Sequence, residues 1–196
     1  MSYKSKLRNS IVATCATLLL FAASTASAKC KFFVDMPSVT TGEHVRWTKW
    51  TGFTLAITTN PYAYMTGISE GDRKYLGLRI RKSYALPRIA TKEDLDRSIV
   101  VPAGSDVFFQ MADESIIKIQ TDLPATGDAD FVVHNAKRYD MTADAIVKVP
   151  LTAENLSALT AQRVLRIRVG AESGDLDFKF GKKGSKKMGE VLKCIQ

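Results

Sequence analysis

Residues 151–194, LTAENLSALTAQRVLRIRVGAESGDLDFKFGKKGSKKMGEVLKC, contain the clearest local signals in the chain. The first part predicts a helix: the Thr152 hydroxyl can accept hydrogen bonds from the free amides of a first turn, and Glu154 lies where the helix dipole favours an anion. The spacing of apolar residues changes after Gln162, so we expect the helix to end near that residue.

The second part of this stretch predicts a β-hairpin followed by a closing helix. Apolar residues alternate with charged ones in 165–169 and again in 176–180, and turn-forming residues lie between the two segments. Residues 181–184 (GKKG) break the second strand, and Ser185 is in position to cap a last helix. That helix has one apolar face, formed by Met188, Val191, Leu192 and Ile195.

The first 28 residues have the three parts of a secretory signal peptide. Basic residues come first, an apolar run follows over 11–23, and the small residues Ala26, Ser27 and Ala28 come last. The apolar run is shorter than the roughly 20 residues that a membrane-spanning helix needs. We therefore expect cleavage after Ala28, a mature chain that begins at Lys29 without a transmembrane anchor, and a periplasmic or secreted location.

Cleavage there removes Cys15 and leaves Cys30 and Cys194 as the cysteines of the mature chain. An even pair of cysteines in an exported protein is most simply a disulfide, and this one would join the two ends of the domain. The alternative is two separate reactive thiols. Neither cysteine has the C-x-x-C spacing or the adjacent histidine that such thiols commonly have, so the sequence favours the disulfide.

The positive charge of the chain is concentrated at its C-terminal end. The sequence has 28 basic and 20 acidic residues, and three of the basic residues lie in the predicted leader, so the mature net charge is +5. Residues 179–196 contain six lysines and one glutamate, whereas the acidic and basic residues of 29–178 balance. The basic character of the mature protein therefore belongs to its tail.

The sequence from Lys31 to Pro150 predicts short strands separated by turns. Prolines lie at strand edges or in loops, as a sheet requires. A short helix is predicted at 91–94, and the predicted strands are 31–34, 44–47, 53–58, 75–81, 99–101, 106–111, 115–120, 131–134 and 145–149. Residues 29–196 therefore predict one mainly β (α+β) domain, an antiparallel β-sandwich or open barrel with a C-terminal helix packed on it.

The segment Gly67-Ile68-Ser69-Glu70-Gly71 matches the G-x-S-x-G pattern of a serine hydrolase nucleophile elbow. An elbow needs a strand before the serine and a helix after it, whereas the residues that follow predict a strand. We interpret the segment as a turn between strands. Asp130 and His134 follow in the chain order of a catalytic triad, so a serine hydrolase is the alternative function, and a helix after Gly71 would favour it.

The sequence predicts no metal site and no cofactor. The chain has two histidines, His44 and His134, and neither has a cysteine or a second histidine at ligand spacing. We therefore interpret both as ordinary polar residues of the domain.

A second candidate surface lies at Trp47 and Trp50, beside Arg46 and Lys49. Aromatic rings next to cations can form an exposed patch for a sugar or polymer. The alternative is that one tryptophan belongs to the core, because Trp47 and Arg46 point to opposite faces of a strand.

The strongest candidate site is the lysine-rich start of the last helix, formed by Lys182, Lys183, Ser185, Lys186 and Lys187. Free first-turn amides, glycines that allow close approach, and ammonium groups together can bind an anion. The alternative is a solvated basic turn that only aids solubility. A G-x-x-G loop also occurs in RNA-binding KH domains, but it joins two helices there, so we expect no nucleic-acid partner.

Together these features predict a non-enzymatic periplasmic or secreted binding protein. Its partner would be an anionic envelope polymer, such as the phosphates of lipopolysaccharide, or an acidic protein. Inhibition of cationic lysozymes would suit a small exported domain, but the basic tail has the wrong sign of charge for it.

Overall fold

The computed structural model describes residues 30–52, 61–85, 99–127, 129–135 and 138–196. Residues 84–85, 129–135 and 138–141 are described by their backbone alone. Three predictions lie outside the described residues: the signal peptide over 1–28, the strand over 53–58 and the short helix over 91–94.

The described residues form thirteen strands and two helices, numbered here in chain order. The strands are β1 (Phe32–Pro37), β2 (His44–Thr48), β3 (Thr51–Gly52), β4 (Tyr62–Glu70), β5 (Arg73–Ala85), β6 (Ile99–Val101), β7 (Asp106–Met111), β8 (Ile116–Gln120), β9 (Ala125–Gly127), β10 (Ala129–Asn135), β11 (Arg138–Pro150), β12 (Val164–Val169) and β13 (Leu176–Lys179). The helices are α1 (Ala153–Ala161) and α2 (Lys182–Lys193).

Most of these strands belong to two antiparallel sheets. The larger sheet has the order β1-β2-β4-β5-β11-β10, with β3 paired to β4, and the smaller has the order β13-β12-β7-β8. A short pair, β6 and β9, forms a separate two-stranded sheet whose residues Ile99, Val101 and Ala125 belong to the same core. The long central pair of the larger sheet is in register along eleven positions, from Asp140 opposite Ala85 to Pro150 opposite Tyr75.

The alternation of apolar residues along the central strands decides which face is buried. On β5 the buried alternate positions are Leu76, Leu78 and Ile80, and on β11 they are Ala143, Ala145, Val147 and Val149. These side chains form one cluster with residues of the smaller sheet and of both helices, including Phe109, Ile167, Phe178, Leu159, Met188 and Leu192. The two sheets and the helices therefore share a single core.

This architecture confirms the predicted fold class, a mainly β, sandwich-like α+β domain with a C-terminal helix. The predicted hairpin also forms, because β12 and β13 pair antiparallel with Ile167 opposite Phe178. The predicted cap of α1 is confirmed, since the backbone N–H of Asn155 donates to Thr152 Oγ1 at 3.1 Å. Within the described residues, no helix combines the length and the apolar character needed to cross a membrane.

The predicted start of the last helix is wrong by one turn. The N-cap is Gly181, which provides no side-chain hydrogen bond, and Lys182 is already helical. Ser185 lies inside α2, is buried, and donates its hydroxyl hydrogen to the carbonyl oxygen of Val164 at 2.6 Å. The Ser185 hydroxyl therefore bonds the helix to β12 and does not cap it. The packing of the helix on the sheet decides where its first turn begins.

Candidate binding cleft

A cleft of about 570 Å³ lies between the C-terminal helix and the ends of strands β1 to β3. Its volume falls within the range of about 300–1,000 Å³ that is usual for ligand sites. The residues that line it are Cys30, Lys31, Thr48, Lys49, Trp50, Thr51, Gly52, Lys187, Glu190, Val191 and Cys194. We call this space the basic cleft.

Two lysines at the ends of neighbouring strands line the basic cleft. Lys31 precedes β1, and Lys49 follows β2. The backbone N–H of Lys49 donates to the carbonyl oxygen of Lys31 at 2.9 Å, so the β1–β2 pairing continues to the edge of the cleft. Below them, Thr48 is buried and accepts a hydrogen bond from the N–H of Gly67 at 2.9 Å. The hydroxyl of Thr66 donates to the Thr48 carbonyl at 2.6 Å. These bonds tie the floor of the cleft to strand β4.

The opposite wall is one face of helix α2 and its last turn. Lys187, Glu190, Val191 and Cys194 are spaced at i, i+3, i+4 and i+7, which places them on the same side of a helix. The helix approaches β4 closely at Gly67, where an added Cβ would lie 3.0 Å from the carbonyl oxygen of Val191. Glycine at this position therefore allows the helix to lie against the sheet.

The disulfide predicted from the cysteine count lies in the wall of the basic cleft. The sulfur atoms of Cys30 and Cys194 are bonded, with their Cα atoms 5.7 Å apart and 164 positions apart in the chain. The Cα separation is ordinary for a disulfide. The bond holds the end of α2 beside the start of β1, so it connects the two walls.

Among the described residues that line the cleft, Trp50 is the one aromatic residue, and it is half-buried. Its ring contacts the Trp47 ring edge to face, with the centroids 6.3 Å apart. The Lys148 ammonium lies over the Trp47 ring at 5.5 Å from its centroid and donates to Glu70 Oε1 at 2.6 Å. Trp50 therefore packs against a neighbouring aromatic ring and is not surrounded by solvent alone.

The described residues that line the basic cleft include three lysines and one glutamate, which gives this lining a positive balance. Lys31 and Lys49 are exposed, Lys187 is half-buried, and Glu190 is exposed. The nearest lysine to Glu190 within its own helix is Lys186, with Nζ 3.9 Å from Oε1, which is a weak surface contact. This charge balance favours an anionic occupant.

The predicted five-residue anion site divides between the exposed side of α2, which carries its four lysines, and the buried side, which carries Ser185. Successive helical residues are about 100° apart, so the four lysines spread over roughly 140° of the helix surface, with Lys183 and Lys187 nearer to the cleft and Lys182 and Lys186 farther from it. Ser185 points inward to the sheet, as described above. Of the predicted set, Lys187 alone lines the basic cleft.

The G-x-S-x-G segment is mostly strand, so its interpretation as a turn is wrong for four of its five residues. Gly67 to Glu70 belong to β4, and the turn begins at Gly71, which has a φ of +58°. Strand β5 follows, and Ser69 pairs with Lys74 across the hairpin. The strand–turn–helix geometry of a nucleophile elbow is therefore not formed at Ser69. The side chains of Asp130 and His134 lie outside the described part of the chain.

Two groups of charged side chains in the described part of the chain lie on the sheets and do not line the cleft. His44 Nε2 is 2.6 Å from Asp35 Oδ1 at the edge of the larger sheet. On the outer face of the smaller sheet, hydrogen bonds from Arg166 lower the pKa of Asp177 against the opposing effect of burial. These pairs are adequately explained as cross-strand ion pairs.

Sequence reasoning missed most of the cleft. Lys31 and Glu190 carried no local pattern that distinguishes them from other surface charges, and β3, which contributes Thr51 and Gly52, is only two residues long. The neighbouring pair Lys49 and Trp50 was found through its aromatic–basic composition. Comparison with protein-family models, with curated proteins and with solved structures finds no match to this chain.

Proposed function

We propose that this protein is a non-enzymatic binding protein of the periplasm or the extracellular space, and that it holds an anionic partner in the basic cleft. The partner is an anionic envelope polymer, such as the phosphates of lipopolysaccharide, or an acidic protein. The main observation behind the proposal is the lining of the cleft. Its described residues include three lysines, one glutamate and a tryptophan, Trp50, that packs against Trp47.

The location of the cleft also supports binding. Its two walls come from opposite ends of the described chain and are joined by the Cys30–Cys194 bond, so the cleft has a rigid frame. A preformed site loses less entropy on binding than a flexible one. Export agrees with the disulfide, because disulfides persist in oxidising compartments.

Charge removal inside the cleft tests this function. We expect a triple variant, Lys31→Gln, Lys49→Gln and Lys187→Gln, to weaken binding to purified lipopolysaccharide or to poly-L-glutamate by at least about tenfold, which corresponds to about 1.4 kcal/mol. Wild-type binding should weaken as salt rises, since the screening length is about 8 Å at physiological ionic strength. Isothermal titration at several salt concentrations measures both effects.

Exposed lysines outside the cleft offer a matched control. The variant Lys179→Gln, Lys182→Gln and Lys193→Gln removes the same charge from positions that do not line the cleft and should bind nearly as well as wild type. A larger loss in this control than in the cleft variant would place the anion surface outside the cleft. Salt-insensitive binding, or unchanged affinity in both variants, would contradict the proposed function.

A further inference from the structure

The basic cleft combines features that select among anions. It has a volume of about 570 Å³, and its described lining residues include one aromatic residue and lysines on two separate walls. A protein partner commonly needs a broad surface, about 800 Å² on each side, whereas a small ligand is enclosed by a concave site of this size. The cleft therefore suits one or a few rings of a ligand better than the surface of a globular protein.

Trp50 indicates what kind of group occupies the cleft. An indole ring offers a large apolar face that loses little conformational entropy when it packs against a ligand ring. The edge-to-face contact with Trp47 restricts the Trp50 ring, and Trp47 is itself under the Lys148 ammonium. A linear acidic chain without rings would leave that aromatic surface unused.

The polar residues complement a ring that bears both charges and hydroxyl groups. Lys31 and Lys49 lie on the strand wall and Lys187 on the helix wall, so ammonium groups approach from both sides. Lysine binds carboxylate and phosphate as a compact point charge and does not require one planar orientation. Glu190 can accept hydrogen bonds from hydroxyl groups, which an anion without hydroxyls could not donate.

We propose that the occupant of the basic cleft is an anionic saccharide, with its ring packed on Trp50 and its carboxylate or phosphate groups bound by Lys31, Lys49 and Lys187. This assignment rests on the proposed function and narrows its ligand class. It distinguishes a charged glycan from an acidic protein and from a neutral sugar.

Three polymers separate these classes. Polygalacturonate presents carboxylates on sugar rings, poly-L-glutamate presents carboxylates without rings, and dextran presents rings without charge. We expect wild type to bind polygalacturonate about tenfold more tightly than poly-L-glutamate at equal carboxylate concentration, and to bind dextran weakest. Trp50→Ala should remove that preference, because it should weaken binding of polygalacturonate more than binding of poly-L-glutamate.

A second variant keeps the test decisive if loss of the indole disturbs the cleft. Trp50→Phe retains an aromatic face and packing against Trp47, so it should keep most of the preference for polygalacturonate. The chain has two tryptophans, so ligand-dependent fluorescence can be assigned. The change seen in wild type on adding polygalacturonate should disappear in Trp50→Phe, because the remaining Trp47 does not line the cleft.

The outcomes distinguish the saccharide assignment from the proposed function. Equal affinity for the two charged polymers, with Trp50→Ala weakening both alike, overturns the saccharide and leaves anion binding intact. Preference for poly-L-glutamate also overturns the saccharide and points to an acidic protein. Polygalacturonate binding that survives the triple lysine substitution overturns the proposed function as well.

Discussion

Asp144 makes the clearest electrostatic contribution to the stability of the larger sheet. Arg79 donates to its carboxylate from Nε at 2.9 Å and from Nη2 at 2.6 Å, and Arg81 donates from Nη2 at 2.6 Å. Burial raises the pKa of Asp144, but the hydrogen bonds and the charges of the two arginines outweigh that effect, so its pKa is lowered from the ordinary value of an aspartate. Bidentate arginine–carboxylate geometry of this kind is among the stronger polar interactions in proteins.

The lowered pKa of Asp144 predicts a pH-dependent stability. A group whose pKa is lower in the folded state stabilises the fold above its unfolded pKa, and that stabilisation is lost as the pH falls through the folded value. We expect Asp144→Asn to lower the free energy of unfolding by about 2 kcal/mol at neutral pH, because two part-buried arginines lose their counter-ion. The difference from wild type should shrink as the pH falls below about 4.

Urea denaturation at several pH values measures this difference. The control is Asp122→Asn, an exposed loop position, which should change the free energy of unfolding by less than about 0.5 kcal/mol. A difference between Asp144→Asn and wild type that stays constant down to pH 2 would show that the arginine pairing does not carry the effect.

Ser69 is the residue on which the alternative function depends. Its hydroxyl lies 3.4 Å from the carbonyl oxygen of Gly71, which is a long contact, and its strand continues through a tight turn into β5. We expect Ser69→Ala to leave the melting temperature and the binding affinity unchanged. Loss of a biological activity at unchanged melting temperature would restore the serine hydrolase hypothesis.

At the scale of elements, the contact between α2 and β4 decides the shape of the cleft. Gly67 has no side chain, and a Cβ there would lie 3.0 Å from both the Val191 carbonyl oxygen and the Ile195 Cγ2 atom. Since one neighbour is backbone, the helix would have to move. The last turn of α2 is also held by Lys74, whose ammonium donates to the Ile195 carbonyl oxygen.

Gly67→Ala should therefore destabilise the protein by about 1–3 kcal/mol, the usual effect of overpacking a close contact. Gly189→Ala is the matched control: it lies in α2, and a Cβ added there would have no neighbouring atom within 4 Å. Alanine is the better helix former, so the control should stabilise the protein by about 0.5–1 kcal/mol. Thermal unfolding of both variants checks the opposite signs, and equal effects would contradict the close packing.

At the scale of the whole molecule, the Cys30–Cys194 bond encloses nearly the entire described chain. Closing a loop of 164 residues lowers the conformational entropy of the unfolded state. In the chain-entropy model, this raises the free energy of unfolding by up to roughly 5 kcal/mol. We expect Cys30→Ser with Cys194→Ser to lower the free energy of unfolding by a large part of that amount. Binding of anionic ligands should weaken too, because both residues line the basic cleft.

Chemical denaturation and titration of the same double variant measure these two effects. Intact mass of the exported protein tests the bond itself, since a chain that begins at Lys29 should have the mass of the oxidised form. Two thiols that react with an alkylating agent in native exported material would contradict the disulfide, and an unchanged unfolding midpoint in the double variant would contradict its role in stability.

The local signals of the sequence determined several elements of this protein, although no predicted strand covers β4 in the middle of the larger sheet. The Thr152 cap depends on atoms three residues apart, and the alternation in β12 and β13 depends on every second residue. The pairing of Cys30 with Cys194 followed from their number and not from their neighbours. Such features are predictable because their physical cause lies within one turn, one strand or a simple count.

The tertiary structure alone decided the basic cleft and the boundary of the last helix. Lys31 and Lys187 line one space although more than 150 positions separate them, and no local pattern specifies that approach. Serine commonly caps helices, yet the Ser185 hydroxyl donates to the carbonyl oxygen of Val164 because the helix packs on β12. Gly67 resembles part of a catalytic motif, yet it is needed where Val191 approaches the sheet. The physical reason is the same in each case: burial against residues distant in the chain outweighs the preference of the residue and its immediate neighbours.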